Sequence, residues 1–500
     1  MTRVERSPRE WPRVVIVGAG MSGIAMGKRL RAAGVDFALY EKAARLGGTW
    51  RENTYPGLTC DVPAHYYAYR DEPNADWTSV FAPGGEIQAY LERVAAKHDL
   101  LRSIQFGTEI VSGVFEGGHW RLRTADGASI EADVLVCATG VLHQPRTPAI
   151  PGLETFAGKA FHSARWDPSA TTRGARVGVL GSGSTGVQIT VALAPEAGHL
   201  TLFQRTPQWV IALPNVPFPA LFRLAQRTVP GLDRALYAVS SAAFDALGRA
   251  PIEPGLPREL IGWLVRRALA SVRDPELREK LTPKDVPMCK RLINSSGFYG
   301  AVQRDNVSVV TAEVARACPE GIVTADGQLH PLDVLVLATG FHAHAYMRPM
   351  SLTGPDGKTL AAAWEKGPRA HNTTMVPGLP NLFALMGPNS PIGNASLVPI
   401  AEAQADYVVS WLDRMRDRGI AEVEPTEAAT DGFYEEVKGA MNGTVWVTGC
   451  DSWYLTEERT PVLWPWTLER FRERLGRIVA SEFIERALPT DGRSSAAVSP

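Results

Sequence analysis

What this chain has little of narrows its function first. No run approaches the roughly 18 uninterrupted apolar residues that cross a bilayer, and the opening MTRVERSPREW holds no apolar stretch of the signal-peptide kind. These absences set the expectation of a cytoplasmic protein without a transmembrane segment. Neither sign of charge dominates: 500 residues carry a formal net charge of −1, which supplies no basic field for nucleic acid and no acidic tail. Cysteine is scarce. Cys60, Cys137, Cys289, Cys318 and Cys450 are scattered, odd in number and free of any CxxC pair, so the sequence predicts a reducing compartment, no disulfide framework and no dithiol redox centre. His342 and His344 lack acidic or cysteine partners at ligand spacing, and no metal is assigned.

Glycine is plentiful, and its placement carries the first positive signal. In RVVIVGAGMSGIAMGKRLRAAGVDFALYEK an apolar β-branched run breaks at Gly18, resumes with helical periodicity and returns to a strand ending at Glu41. Gly18, Gly20 and Gly23, with Ser22 among them, let the backbone approach a pyrophosphate at a helix N-terminus, while Glu41 takes ribose hydroxyls. A second unit, ARVGVLGSGSTGVQITVAL, repeats the pattern at Gly181, Ser182, Gly183, Ser184, Thr185 and Gly186. Its next strand ends in Arg205 and Thr206 instead of an acid, which suits the 2′-phosphate of NADPH; a solvated surface charge is the alternative for Arg205. DVLVCATG and DVLVLATG, ending at Gly140 and Gly340, point to an internal duplication of a dinucleotide domain.

The predicted fold class is therefore α/β, with two Rossmann-like dinucleotide-binding domains, for FAD and NADPH, and a helical insert in the NADPH domain. The boundaries read as FAD domain 1–147, NADPH domain 148–211, helical insert 212–286, NADPH domain 287–342 and FAD domain 343–500, the last with an aromatic-rich C-terminal segment. The insert's apolar faces are assigned to core or domain interface; a lipophilic channel or a membrane-touching face is the alternative. The end, SSAAVSP, reads as frayed.

Three further segments carry a resemblance. FAGKAFHSARW, with Phe156, Gly158, His162 and Trp166, resembles the FxGxxxHxxxW fingerprint of type I Baeyer–Villiger monooxygenases, within the class B flavin-containing monooxygenases. GGTWRENTYPGLTCD is similar to their second signature, through Gly47, Gly48, Trp50, Tyr55, Pro56, Gly57 and Asp61, and CKR resembles the segment bearing their active-site arginine. The resemblance implies that NADPH reduces FAD, that a flavin peroxide forms with dioxygen, and that it inserts one oxygen atom beside a ketone carbonyl to give an ester or lactone. Sulfide oxidation is a further activity it implies.

The roles it implies follow the matched positions. Arg291 is the cation beside the peroxide and Asp61 its buried counter-charge, with a purely structural pair as the alternative. Gly48, Thr49, Trp50 and Tyr67 contact the flavin, and Lys290 joins Arg205 and Thr206 at the 2′-phosphate or is simply solvated. Phe156, Gly158, His162 and Trp166 sit in a connector and couple domain rotation to cofactor position, while His162 is either a hydrogen-bonded structural residue or takes a direct chemical role. Trp446, Trp453 and Tyr454 line the substrate pocket or pack in the core. The chain departs from the family after CKR, where Gly297 and Phe298 stand in place of an acid ahead of a tyrosine pair. Two other functions share these motifs: an N- or S-oxygenating flavin monooxygenase, and a non-oxygenating NADPH-dependent flavoprotein that acts as redox partner or sensor.

Overall fold

The apolar runs that precede the two glycine loops are buried on both faces, and each becomes the central strand of a parallel sheet. The computed structural model describes residues 10–390, 395–456 and 462–487; the predicted frayed end lies outside them. In chain order the principal strands are β1 (Val14–Val17), β2 (Phe37–Glu41), β3 (Ile104–Phe106), β4 (Val134–Cys137), β5 (Lys159–His162), β6 (Arg176–Leu180), β7 (His199–Phe203), β8 (Val307–Val310), β9 (Val334–Leu337) and β10 (Leu382–Ala384). One sheet runs β10-β4-β1-β2-β3 and the other β8-β7-β6-β9-β5. The helices that matter below are α1 (Met21–Ala32), α2 (Ser184–Leu193), α3 (Ala220–Thr228), α4 (Leu232–Leu247), α5 (Leu256–Leu269) and α6 (Leu397–Arg418).

The two sheets are twins, and the duplication is longer than the ATG strings suggest. Val14 to Val17 pair with Val134 to Cys137 in β4, and Val177 to Leu180 pair with Val334 to Leu337 in β9. Asp133 Oδ2 accepts from Arg13 N at 2.8 Å and Asp333 Oδ2 accepts from Arg176 N at 2.8 Å, pinning both strands in register. Upstream, Thr124 Oγ1 donates to Asp126 in one hairpin turn and Thr324 Oγ1 donates to Asp326 in the other. The TADG strings at Thr124 and Thr324 are a sequence signal that a self-comparison would have caught. The fifth strand of each sheet comes from outside its repeat: β10 returns from beyond the second unit, and β5 comes from the connector.

Helix α6 packs along α1, and the contact buries charge. Glu402 is buried there and accepts from Arg70 N at 3.2 Å, with Arg29 Nη2 at 3.7 Å. Burial pushes its pKa up from 4.5 to about 7, against the opposing pull of Lys28 and Arg29. The folded chain thus holds a proton that the unfolded chain releases, so this group's contribution is full below pH 4.5 and is lost as pH rises through about 7. Thermal melts should show a smaller drop in Tm between about pH 5 and about pH 8 for Glu402→Gln than for the unaltered protein. An unchanged slope would mean that Glu402 is ionised throughout.

Candidate active site

At the first loop the glycines are required by contact. A Cβ on Gly18 would lie 2.6 Å from Ala138 O, and one on Gly23 would lie 1.9 Å from Gly18 O. Gly20 faces Gly48, whose φ of +55° belongs to the left-handed region, so the loop and the GG of the second signature lock backbone to backbone. Gly20 also caps α1 without a side-chain hydrogen bond, and the first turn contains no acid. Ser22 is buried in that turn. Thr49 and Trp50 open the short helix that Gly48 caps. At α1, uncapped N–H groups with no acid in the first turn fit a pyrophosphate. Glu41 is 4% exposed; its Oε2 accepts from Ala19 N at 2.9 Å, and its Oε1 accepts from Ala43 N and Arg51 Nη1, each at 3.0 Å. Arg51 was not legible from the sequence, because nothing in its local spacing ties it to Glu41.

The second loop repeats this construction. A Cβ on Gly181 would lie 2.4 Å from Ala338 O and one on Gly186 would lie 1.8 Å from Gly181 O, whereas one on Gly183 would meet nothing within 4 Å. Gly183 caps α2 without a side-chain bond and without an acid in the first turn, which begins at Ser184 and Thr185, so the N-terminus of α2 opens toward space that fits a second pyrophosphate. Ser182 Oγ donates to Thr206 O at 2.9 Å, tying the loop to the end of β7, and Arg205 is exposed beside it. Lys290 Nζ lies 2.7 Å from Asp285 Oδ2, an acid that the sequence reading did not weigh.

The second signature joins the halves. Buried Tyr55 donates to Gln188 Oε1 of α2 at 2.9 Å, and a Cβ on Gly57, at φ +80°, would strike Gln188 O at 2.8 Å. A few residues on, Asp61 meets Arg291 in a two-pronged pair: Nη2 is 2.7 Å and 2.8 Å from the two carboxylate oxygens, and Nε is 3.1 Å from Oδ2. Asp61 holds the guanidinium's pKa above its ordinary range against the opposing effect of burial. The side chains of Arg291 and Asp61 are 41% and 22% exposed, where the two halves meet.

Around this pair stand Trp50, Tyr67 and Tyr454. Trp50 Nε1 donates to Tyr67 Oη at 3.1 Å, with the rings edge to face. Tyr454 is buried beside Arg291, and burial pushes its pKa to about 12, opposed by the arginine. Trp453 stacks edge-on at 4.6 Å and is partly exposed, while Trp446 is fully buried in the main core. Gly297 packs so closely on Val191 of α2 that a Cβ would lie 2.8 Å from its Cγ1, and Phe298 is buried. An acid at position 297 would collide there.

Part of the fingerprint connector is a regular strand, which the sequence reading did not assign. Lys159 to His162 form edge strand β5, parallel to β9, and a Cβ on Gly158 would strike Asp333 O at 2.3 Å. Phe156 packs against the small cluster under this edge, and Trp166 meets Phe161 edge to face. His162 Nδ1 accepts from Ala164 N at 3.1 Å, so Nε2 carries the proton donated to Gly340 O at 3.0 Å. Burial lowers its pKa, which favours the neutral ring. The link to the first half runs through a neighbour: Arg165 pairs with Glu52, which pairs with Arg51, which pairs with Glu41.

Cysteine arithmetic also needs correction. Cys289 and Cys450 form a disulfide across 161 residues, with Cα atoms 6.2 Å apart, while Cys60, Cys137 and Cys318 are free thiols. Counting local spacings misses a pair assembled only by the fold. The bridge ties the segment of Lys290 and Arg291 to the loop of Tyr454. Closing so long a loop stabilises by about 2–5 kcal/mol. Cys450→Ser should therefore lower Tm by several degrees in non-reducing buffer and abolish any effect of added dithiol on Tm; an unchanged melt would show that the bridge adds nothing.

Comparison with known proteins follows this geometry. A family model described as flavin-binding monooxygenase-like matches residues 12–349. The chain is 48% identical over 473 residues to an uncharacterised monooxygenase of Mycobacterium tuberculosis, covering 94% of this chain and 96% of that one. It is 36% identical over 484 residues to a Baeyer–Villiger monooxygenase of Streptomyces coelicolor, covering 95% and 92%. Among solved structures, an oxidised steroid monooxygenase bound to NADP superposes with a TM-score of 0.85 at 31% identity, covering 96% of this chain and 100% of that one. Cyclohexanone monooxygenase from Rhodococcus sp. Phi1, bound to NADP+, gives 0.84 at 29%, covering 95% and 99%. Twin dinucleotide sheets, the two signatures and matches spanning nearly the whole length place the chain in the flavin-binding monooxygenase-like family, among its Baeyer–Villiger members.

Proposed function

We propose that the protein is an FAD- and NADPH-dependent Baeyer–Villiger monooxygenase that inserts one atom of dioxygen beside the carbonyl of a small-molecule ketone, giving an ester or lactone. The two-pronged Arg291–Asp61 pair at the meeting of two dinucleotide units carries this reading. The N-terminus of α1 with Glu41 would hold FAD, and that of α2 with Arg205 and Thr206 would hold NADPH. FAD, when bound, supplies the redox chemistry that activates dioxygen. The chain's own residues supply geometry and field. Arg291 keeps a fixed positive charge where negative charge develops on the reacting oxygen, and Asp61 fixes the guanidinium plane. Trp50, Tyr67 and Tyr454 narrow water access, and the Tyr454 hydroxyl stays protonated at neutral pH because its pKa is about 12.

The test is product analysis with purified protein, NADPH, air and a panel of ketones and sulfides. An ester or lactone formed with matching NADPH consumption supports the proposal. Sulfoxide without ester from any ketone would favour heteroatom oxygenation. NADPH oxidation that yields hydrogen peroxide and no oxygenated product would favour a non-oxygenating redox partner.

A further inference from the structure

The helical insert leaves apolar side chains on its surface where the sequence leads one to expect a core or an interface. Among the described residues, ten of the eighteen exposed large hydrophobic side chains fall between Leu213 and Trp263. Leu256 is 81% exposed, Leu221 77% and Val239 68%. Helix α4 is built outside-in. Apart from Arg234 near its start, every exposed residue of α4 is Ala, Val or Leu, at the 3–4 spacing of one face from Ala235 to Leu247. Its polar residues turn partly inward, and Asp245 accepts from Tyr66 Oη at 2.7 Å. A surface helix ordinarily shows the reverse pattern. The face continues into α5, where Leu256, Leu260 and Trp263 stand in one row and, with Ala246 and Leu247 of α4, line a shallow groove of about 500 Å³.

Charge surrounds this face asymmetrically. Residues 220–270 contain seven arginines, no lysine and four acids, in a chain whose net charge is −1. Arg234, Arg249, Arg266 and Arg267 are exposed, against the exposed acids Glu253 and Glu259, the latter lining the groove, and Arg267 lies over the Trp263 ring at 5.3 Å. We propose that this face of α4 and α5 is a docking surface for an anionic phospholipid bilayer. Its apolar rows enter the boundary between headgroups and acyl chains, and the arginines meet lipid phosphates. A tryptophan flanked by arginine suits that depth. A second copy of the chain is the weaker occupant, since a two-fold contact would press one arginine-rich rim against another.

The test is co-sedimentation of the full chain with vesicles of phosphatidylcholine alone and of phosphatidylcholine mixed with phosphatidylglycerol. Binding is expected to the mixed vesicles, to weaken as salt rises, and to be much poorer on phosphatidylcholine alone. The double variant Val239→Asp, Leu256→Asp should lose binding by about tenfold or more, with cofactor content, Tm and turnover of a water-soluble ketone unchanged. Arg266→Ala with Arg267→Ala should weaken binding and flatten its salt dependence. No binding to mixed vesicles, equal binding to both kinds, or full binding by the double variant would overturn the proposal. So would a dimer in sedimentation velocity that Leu256→Asp dissolves while vesicle binding stays at background.

Discussion

Replacing Arg291 by Ala is expected to lower the rate of ester formation by at least about 10²–10³-fold while NADPH still bleaches the flavin absorbance at a rate near that of the unaltered protein. The split follows from where the charge sits. Arg291 is anchored to Asp61 through both Nη2 and Nε, where the two halves meet and where the proposed function puts the reacting atoms. Flavin reduction needs the nicotinamide and the flavin brought together, whereas oxygen transfer needs a fixed cation beside a growing negative charge. Arg291→Lys should recover little, because an ammonium cannot reproduce the two-pronged contact that orients the group. Product analysis under air and anaerobic absorbance with NADPH measure the two halves separately. Ester formation at an undiminished rate by Arg291→Ala would remove the residue from the mechanism.

Gly186→Ala should be nearly as damaging, at a different step. Its Cβ would lie 1.8 Å from Gly181 O, a backbone atom with no side-chain freedom to yield. Shifting that turn costs on the order of a few kcal/mol, about 10²-fold in nucleotide affinity. The expected protein is still yellow, since the FAD loop around Gly18 and Gly20 is built in the other sheet, but its KM for NADPH is raised by about that factor. Gly183→Ala is the control for folding: its Cβ would meet nothing within 4 Å in the protein itself. A Gly186→Ala enzyme with an ordinary KM for NADPH would show that this loop does not hold the nucleotide.

The parts legible in the sequence are those whose meaning is local. A strand, a glycine turn and a helix lie within about 20 residues of one another, so the loops at Gly18 and Gly181, the acid at Glu41 and the change to Arg205 could be read in order. The repeated DVLV strands were legible for the same reason, since a buried parallel strand is a short apolar run that does not depend on its neighbours. Where local reading failed, a neighbour distant in the chain decided the outcome. The fingerprint segment reads as a connector because nothing nearby announces a strand; its Lys159 to His162 pair with β9, some 175 residues away. The two ring nitrogens of His162 meet Ala164 N and Gly340 O, the latter 178 positions away, and no local spacing announces that second contact.

The sequence by itself determined the fold class, the two glycine-rich strand-to-helix loops and the identity of the residues available for chemistry, because backbone propensity and hydrophobic period are written into short windows. Only the tertiary structure decided which of those residues meet. Asp61 and Arg291 are 230 positions apart, Cys289 and Cys450 are 161 apart, and the run from Glu41 through Arg51 and Glu52 to Arg165 crosses between the two halves. The outward-facing apolar side of α4 belongs to the same class: an amphipathic period states that a helix has two faces, while the packing around Tyr66 and Asp245 decides which one meets solvent.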